Sequence, residues 1–534
     1  MSVEPATWTF IILGAAMIAF ISSKVPLAVV AGGVVLALWA TGVRSLPEVF
    51  EGFADPTVVF IVSLFIVIES LEASGITAWL ANFVVNRAGT SRTRLVLVIG
   101  VAAGMLGAFI SVSGTVGALL PVVVIVTKKA GMLPSKMLIP LAFLASGGSV
   151  LTLTASPVNI VVSQAASDHG GRQFGYFEFA LAGIPLVVIT IIIVLLAGDR
   201  LLPDRSPESI AAPDPTAHAK RLREDYRMDV STGALYTVEE GVAEVLVAPH
   251  SSLIGRHVLP GMTTPDDGLV VLGVRRGDHA GPLVRESEET EEAEERFELR
   301  AGDAVLVQGP WAVLERYAAS QDVIAVTPPQ SLQRAVPLSR KYKRTLFIFA
   351  AMILLLVTGV VPTAIATMLA AGALIVTKVV RLPTVYRAVP WSIVILVGGM
   401  IPLSRAFVDT GSADIVADLV LGNLGAASPY LALLVICVIS MVLGQFMSNL
   451  ATVLVMLPIA VAIAGSTGAS IQPFMMGLAV CGAASFITPV ATAGNLIVMR
   501  AGGYRFGDYW KLGLPLMVVY LGIAVLYVPL IWPF

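Results

Sequence analysis

The sequence is poor in charge. Asp, Glu, Lys and Arg make up 13% of its 534 residues, against about 25% in an ordinary soluble protein. Net charge is −2, which offers nothing to a polyanion, so no nucleic-acid partner is expected. Cysteine is nearly missing. Cys437 and Cys481 both lie in apolar segments, with no metal-ligand spacing, and read as packing residues. All five histidines (His169, His218, His250, His257, His279) fall outside the apolar stretches, so an imidazole proton relay within a membrane is not expected. No nucleophile–base pair or metal cluster is visible, and an enzyme or a non-transporting sensor is the weakest reading.

Apolar residues are what the chain has in plenty. They form 56% of it and gather in runs such as 8–20, 27–42, 96–110, 186–197, 346–357 and 431–443. Allowing for ends and breaks, these have the length of membrane spans. The chain opens MSVEPATW, with an acid and no basic run, and a second apolar run follows at once. The first run therefore reads as a span and not as a cleaved signal.

Three blocks follow: apolar 1–200, polar 201–342 and apolar 343–534. The polar block begins with a linker rich in proline and charge. It then alternates like short strands at 243–249, 269–276 and 301–309, with a helical pattern at 311–320. An acidic run at 286–296 reads as a solvated loop.

The two apolar blocks repeat each other. SVSGTVGALLPVV, from Ser111, matches SNLATVLVMLPIA, from Ser448, so that Ser111, Thr115 and Pro121 fall in step with Ser448, Thr452 and Pro458. TLTASPVNIVV at 152–162 matches TPVATAGNLIV at 488–498, pairing Asn159 with Asn495. LEASG at 71–75 matches FVDTG at 407–411, and the segments 170–186 and 502–516 also correspond. Shared membrane composition would not keep polar residues in register.

In each half an apolar helix runs into a short polar stretch, at Ser111–Thr115 and at Ser448–Thr452, and then resumes. Unsatisfied backbone is costly in lipid, so such breaks must face protein or a water-filled cavity. Helix N-termini there present N–H groups that suit an anion. Unwound carbonyls with hydroxyl and amide oxygens suit a sodium ion. The polar stretches Thr152–Asn159 and Thr488–Asn495 contain Pro157 and Pro489 and read as tips of re-entrant hairpins or further unwound points. No charged residue lies between Arg94 and Lys128, or between Asp418 and Arg500. A proton-coupled antiporter ordinarily needs an intramembrane carboxylate or histidine, so a neutral site that binds cations beside an anion fits better. Glu69 and Arg405 lie in other helices, near their ends.

These motifs, together with GNLIV and GGYRFGDYWKLGLPL, resemble the divalent anion:sodium symporter family (solute carrier family 13). LGVRRG at 272–277 and ELRAGDAVLVQG at 298–309 resemble the TrkA-C (RCK-C) regulatory module over about 240–325. The resemblance implies an all-α polytopic membrane protein with two inverted-topology repeats, broken helices and re-entrant hairpins, plus a small α+β soluble insert. It also implies an elevator mechanism, a homodimer and Na⁺-coupled uptake of dicarboxylate, citrate or sulfate. The implied place is the plasma membrane, with the insert cytoplasmic and either a plain structural cap or the site of a small regulatory ligand.

The family's Ser-Asn-Thr motif reads Ser111-Val112-Ser113 in the first half and Ser448-Asn449-Leu450 in the second. Ser111, Ser113, Ser448 and Asn449 keep polar ligands, whereas Val112 and Leu450 do not. That loss favours a smaller anion, such as sulfate, over a large tricarboxylate. The implied anion set is Ser111, Ser113, Thr154, Asn159, Ser448, Asn449, Thr488, Pro489 and Asn495. The implied sodium ligands are Ser111 and Thr152 for one ion, and Ser448, Asn449 and Thr488 for the other. Rival readings are an exporter or antiporter of the arsenite/sodium–proton group and, from another class, a gated anion channel.

Overall fold

A computed structural model describes residues 4–22, 24–76, 87, 91–205, 240–258, 262–264, 268–276, 279–280, 297–318, 320–325, 341–380, 382–412, 415, 428–489 and 491–534. Its contacts divide the chain into two units. One comprises Met1–Glu72, Leu80–Ser209 and Lys343–Phe534, and the other Ala73–Trp79 and Ile210–Tyr342.

The first unit is helical. Its N-terminal part holds α1 (Pro5–Ser22), α2 (Leu27–Ala40), α3 (Leu46–Glu51), α4 (Pro56–Ala73), α5 (Arg92–Gly107), α6 (Val112–Lys129), α7 (Leu138–Gly148), α8 (Pro157–Asp168) and α9 (Ala180–Leu201). These helices are apolar nearly all round, as expected where both lipid and protein surround them. Glycines set the closest approach. A Cβ on Gly148 would lie 2.7 Å from the Gly104 carbonyl oxygen, and one on Gly107 2.8 Å from that of Ala145. The backbones of α5 and α7 thus meet directly, the small-residue contact by which helices associate in lipid.

The second unit carries a five-stranded antiparallel sheet in the order β4-β3-β6-β1-β7. Its strands are β1 (Glu240–Val247), β3 (Val270–Arg276), β4 (His279–Ala280), β6 (Ala304–Pro310) and β7 (Val323–Ala325), while β2 (His257–Val258) and β5 (Phe297–Glu298) pair separately. Helix α10 (Trp311–Ala318) covers the sheet and drops Trp311 and Leu314 into a core with Val242, Val245 and Leu306. The Trp311 ring occupies the space a side chain on Gly241 would need. The alternating segments at 243–249, 269–276 and 301–309 coincide with β1, β3 and β6, and the helical pattern from 311 coincides with α10. The acidic run at 286–296 and most of the linker lie outside the described residues.

The rest of the helical unit holds α11 (Tyr342–Thr358), α12 (Thr363–Val376), α13 (Leu382–Ala388), α14 (Trp391–Asp409), α15 (Pro429–Leu443), α16 (Asn449–Thr467), α17 (Ile471–Gly482), α18 (Ala493–Gly502), α19 (Trp510–Gly522) and α20 (Val528–Ile531). Among the described residues, six helices or continuous helical segments are long and apolar enough to cross a membrane. The chain is a multi-pass membrane protein.

The two halves share one plan. Helices α5 and α6 pack side by side as a hairpin, and so do α15 and α16. Each hairpin packs against two helices, one flanking each of the two unwound stretches. The first touches α7 and α18; the second touches α17 and α8. Each hairpin therefore bridges both repeats.

Candidate functional site

Both motif helices are interrupted, slightly earlier than the sequence pattern suggests. The chain stops being helical after Gly107 and restarts at Val112, with Ser111 as the N-cap. It stops again after Leu443 and restarts at Asn449, with Ser448 as the N-cap. Serine suits this position because its oxygen takes an otherwise unpaired first-turn N–H. Ser111 Oγ accepts from the Gly114 amide at 3.1 Å, and Ser448 Oγ from the Ala451 amide at 3.3 Å. Ser111 and Ser113 hydroxyls lie 3.3 Å apart. Thr115 and Thr452 sit inside the resumed helices, not in the breaks.

The second pair of polar stretches forms unwound links, 149–156 between α7 and α8 and 483–492 between α17 and α18; the hairpins are instead α5–α6 and α15–α16. Asn159 Nδ2 donates to the carbonyls of Ser149 and Thr152, both at 2.8 Å. Asn495 Nδ2 donates to those of Ser485 and Thr488, at 2.9 and 3.1 Å. The Thr152 hydroxyl donates to the Ala108 carbonyl in the first hairpin tip. The Thr488 hydroxyl donates to the Gln445 carbonyl in the second, at 2.8 Å. The two asparagines thus hold the links in shape, and the two threonines tie each link to a hairpin tip. Four buried side chains repeat the same bonding in register.

The repeats differ at the motif residues themselves. Asn449 Oδ1 accepts from Ser485 Oγ at 2.7 Å, and Gln445 spans the same tip, donating to Ala484 O and accepting from the Ile487 amide. In the first half Val112 holds the amide position, and its side chain faces Gly494, where a Cβ would lie 2.9 Å from Val112 Cγ1. Ser149, repeat mate of Ser485, turns back to donate to Ser146 O of its own helix at 2.7 Å. Leu450 is buried. The Thr154 hydroxyl is taken up by Tyr176 at 2.9 Å, and Pro489 is buried beside Thr488.

Sequence reasoning passed over three residues here. Gln445 and Ser485 are polar groups in apolar surroundings, a signal that was open to reading. Glu72 is the third. It ends α4, and its Oε1 occupies the space a side chain on Gly114 would need. A carboxylate at a helix C-terminus is disfavoured and one at an N-terminus is favoured, so the first turn of α6 offsets what the last turn of α4 costs. The first motif is uncharged in its own segment, but a carboxyl group lies against it.

A cavity of about 440 Å³ opens between α8, α14, α16 and the start of α4. Leu454 and Leu457 line it from the helix that Asn449 begins, and Val161 and Gln164 from the helix that carries Asn159. Arg405 reaches it while pairing with Glu51 at 3.0 Å and Asp55 at 3.3 Å.

Paired hairpin tips and unwound links within an apolar helical unit are the features of a membrane transporter. The comparisons give the family. The sequence matches the citrate transporter family (CitMHS) over residues 17–480 and 428–534, and the chain belongs to that family. It is 27% identical to an uncharacterized transporter of Escherichia coli K12 over 99% of both chains. It is 29% identical to solute carrier family 13 member 2 of Rattus norvegicus over 26% of this chain and 23% of that one. The crystal structure of the YdaH transporter of Alcanivorax borkumensis aligns with a TM-score of 0.46 and 16% identity, covering 92% of this chain and 88% of that one.

Proposed function

We propose that the protein is a secondary active transporter that couples inward movement of a small divalent oxyanion, sulfate or a dicarboxylate, to Na⁺ by an elevator mechanism. The carrying observation is the mirrored pair of serine-capped helix starts, each tied by a buried threonine to an unwound link. Helix N-termini stabilise an anion, and the hydroxyl, amide and carbonyl oxygens around them suit a monovalent cation. In this reading Ser111, Ser113, Ser448 and Asn449 contact the anion. Ser111 and Thr152 hold one Na⁺, and Ser448, Asn449 and Thr488 another. Asn159 and Asn495 act by shaping the links, and Pro489 by fixing the chain beside Thr488.

The insert is proposed to face the cytoplasm. Three ion pairs gather basic residues where the chain leaves the helical unit: Arg92–Asp199, Lys136–Asp204 and Arg205–Asp508. Such enrichment marks the inner side of a membrane. A homodimer in the plasma membrane, and a small ligand on the insert, complete the proposal.

Uptake of labelled sulfate, succinate or citrate into proteoliposomes, with an inward gradient of NaCl or choline chloride, tests it. Uphill accumulation of one anion that needs sodium is the expected result and excludes a channel. No anion uptake, or uptake indifferent to sodium, rejects the proposal. Glu72 favours one second reading, an ion-exchanging antiporter, because an intramembrane carboxylate is what proton coupling requires. Proton efflux driven by sodium without any anion would select that reading.

A further inference from the structure

The cavity between α8, α14, α16 and the start of α4 stands apart from the paired motifs, since none of Ser111, Ser448 and Asn449 lines it. Its volume of about 440 Å³ is that of a small-molecule pocket. Two helices grade it from end to end. On α8 the lining runs Val161, Gln164, Asp168, and on α14 it runs Val397, Ile401, Arg405. Both series recur at helical spacing, so one face of each helix borders the space. Both begin buried and apolar and finish exposed and charged. From Val161 to Asp168 the helix advances about 10 Å. Leu454 and Leu457 add apolar wall from α16, and Met400 adds an unbranched side chain that adapts to what it meets.

The charge at the exposed end is negative. Arg405 is already committed, to Glu51 at 3.0 Å and to Asp55 at 3.3 Å. Asp168 accepts from Gln164 Nε2 at 2.8 Å and forms no ion pair among the described residues. A neutral amide leaves its charge uncancelled. Three carboxylates thus stand against one guanidinium, and the excess stays negative even when His169 is protonated. His169 Nδ1 bonds to the Ala165 carbonyl at 2.9 Å. A carbonyl only accepts, so in the neutral ring Nε2 is left as an acceptor. An anionic head would have to take Arg405 from two carboxylates, whereas a cationic one finds acceptors and unspent charge.

We propose that this cavity binds an amphipathic organic monocation, its apolar body between Val161, Val397 and Leu457 and its ammonium group facing Asp168. Burial of the body against the apolar walls supplies affinity. The charge-assisted hydrogen bond to Asp168 supplies the choice of sign. The walls come from both halves of the chain, the start of α4 and α8 from the first, α14 and α16 from the second, so the bound molecule touches both.

Equilibrium dialysis of the purified full-length protein in neutral detergent, at neutral pH, tests it with three probes of one shape: phenylbutylamine, phenylbutanol and phenylbutyrate. Protein-free micelles give the background. Saturable binding of the amine is expected, with the alcohol about tenfold weaker and no saturable binding of the acid. Asp168→Asn, at an exposed position, should weaken the amine by about tenfold, as loss of one charge-assisted hydrogen bond implies, and leave the alcohol within about twofold. Ile401→Phe fills the cavity and should abolish binding of both. An amine affinity within about twofold of wild type in Asp168→Asn would overturn the inference. So would an acid that binds as tightly as the amine, or an amine that never saturates. If Ile401→Phe does not fold, Asp168→Asn still decides. Uptake plays no part in the measurement, so failure here leaves the transport proposal standing, and failed uptake leaves this site standing.

Discussion

The hydrogen bond from Ser485 Oγ to Asn449 Oδ1, 2.7 Å long, ties a side chain of the second motif directly to its unwound link. Asn449→Ala removes one of two acceptors that share the single Ser485 hydroxyl proton, which can then go wholly to Gly444 O, 3.0 Å away. The stability cost should therefore not exceed one neutral hydrogen bond, about 1 kcal/mol. Ser485→Ala removes the donor that both acceptors share and should cost about 1–2 kcal/mol. The double variant should cost little more than Ser485→Ala alone, because the shared bond can be lost only once. The coupling energy from the four proteins should be about 0.5–1.5 kcal/mol, read from reversible unfolding in mixed micelles. Sodium-driven uptake should vanish in Asn449→Ala although the protein stays folded. A coupling energy near zero would show that the bond is not formed, and normal uptake would place the substrate elsewhere.

Val112→Asn restores the amide at the position that Asn449 holds in the second half; Ser149, repeat mate of Ser485, donates its hydroxyl to Ser146 O. The sodium concentration for half-maximal uptake should fall by about threefold or more, and an unchanged value would detach the first motif from ion binding. Gly148→Ala drives a Cβ to 2.7 Å from the Gly104 carbonyl. Backbone cannot rotate away, so a loss of about 1–3 kcal/mol is expected, and a neutral result in the same unfolding assay would refute the close crossing of α5 and α7. Burial pushes the Asp508 carboxyl up, but hydrogen bonds from the Arg205 side chain and the Arg505 amide outweigh it and hold the group below its ordinary value. A lowered folded value stabilises above the unfolded value of about 3.9 and is lost as pH falls through the folded one. Arg205→Gln should therefore lower Tm at pH 7 and at pH 5 alike, and the gap should close below about pH 4; a gap independent of pH would remove the pair from the account.

Local chemistry was legible in the sequence, and long-range placement was not. Ser111 and Ser448 could be read because a serine before an apolar run is what a helix start needs. The strands around Val245, Val271 and Leu306 could be read from alternation. Asn159 and Asn495 were read as ligands from their register, but register is equally satisfied by the scaffolding bonds they make to their own links. Thr154 had no local sign of Tyr176, which lies 22 residues on. The contact of Val112 with Gly494 and that of Glu72 with Gly114 depend on how helices pack, which no window of sequence records. A motif segment without charge says nothing of Glu72, which arrives from a different helix.

The division of labour between the repeats explains why such a duplication is useful. The bonds that must hold in both halves are those of the frame, and they are the ones kept: asparagine to two link carbonyls, threonine to a hairpin-tip carbonyl. The groups that differ are those to which the proposal gives the bound ions. The second half gathers an amide, a serine and a glutamine at its tip; the first sets valine there and brings a carboxylate to the neighbouring turn. A site with two identical halves would offer the same electrostatics to anion and cation alike. Unlike halves on one frame can hold opposite charges a short distance apart, and each charge then lowers the cost of desolvating the other, which is the physical content of coupling.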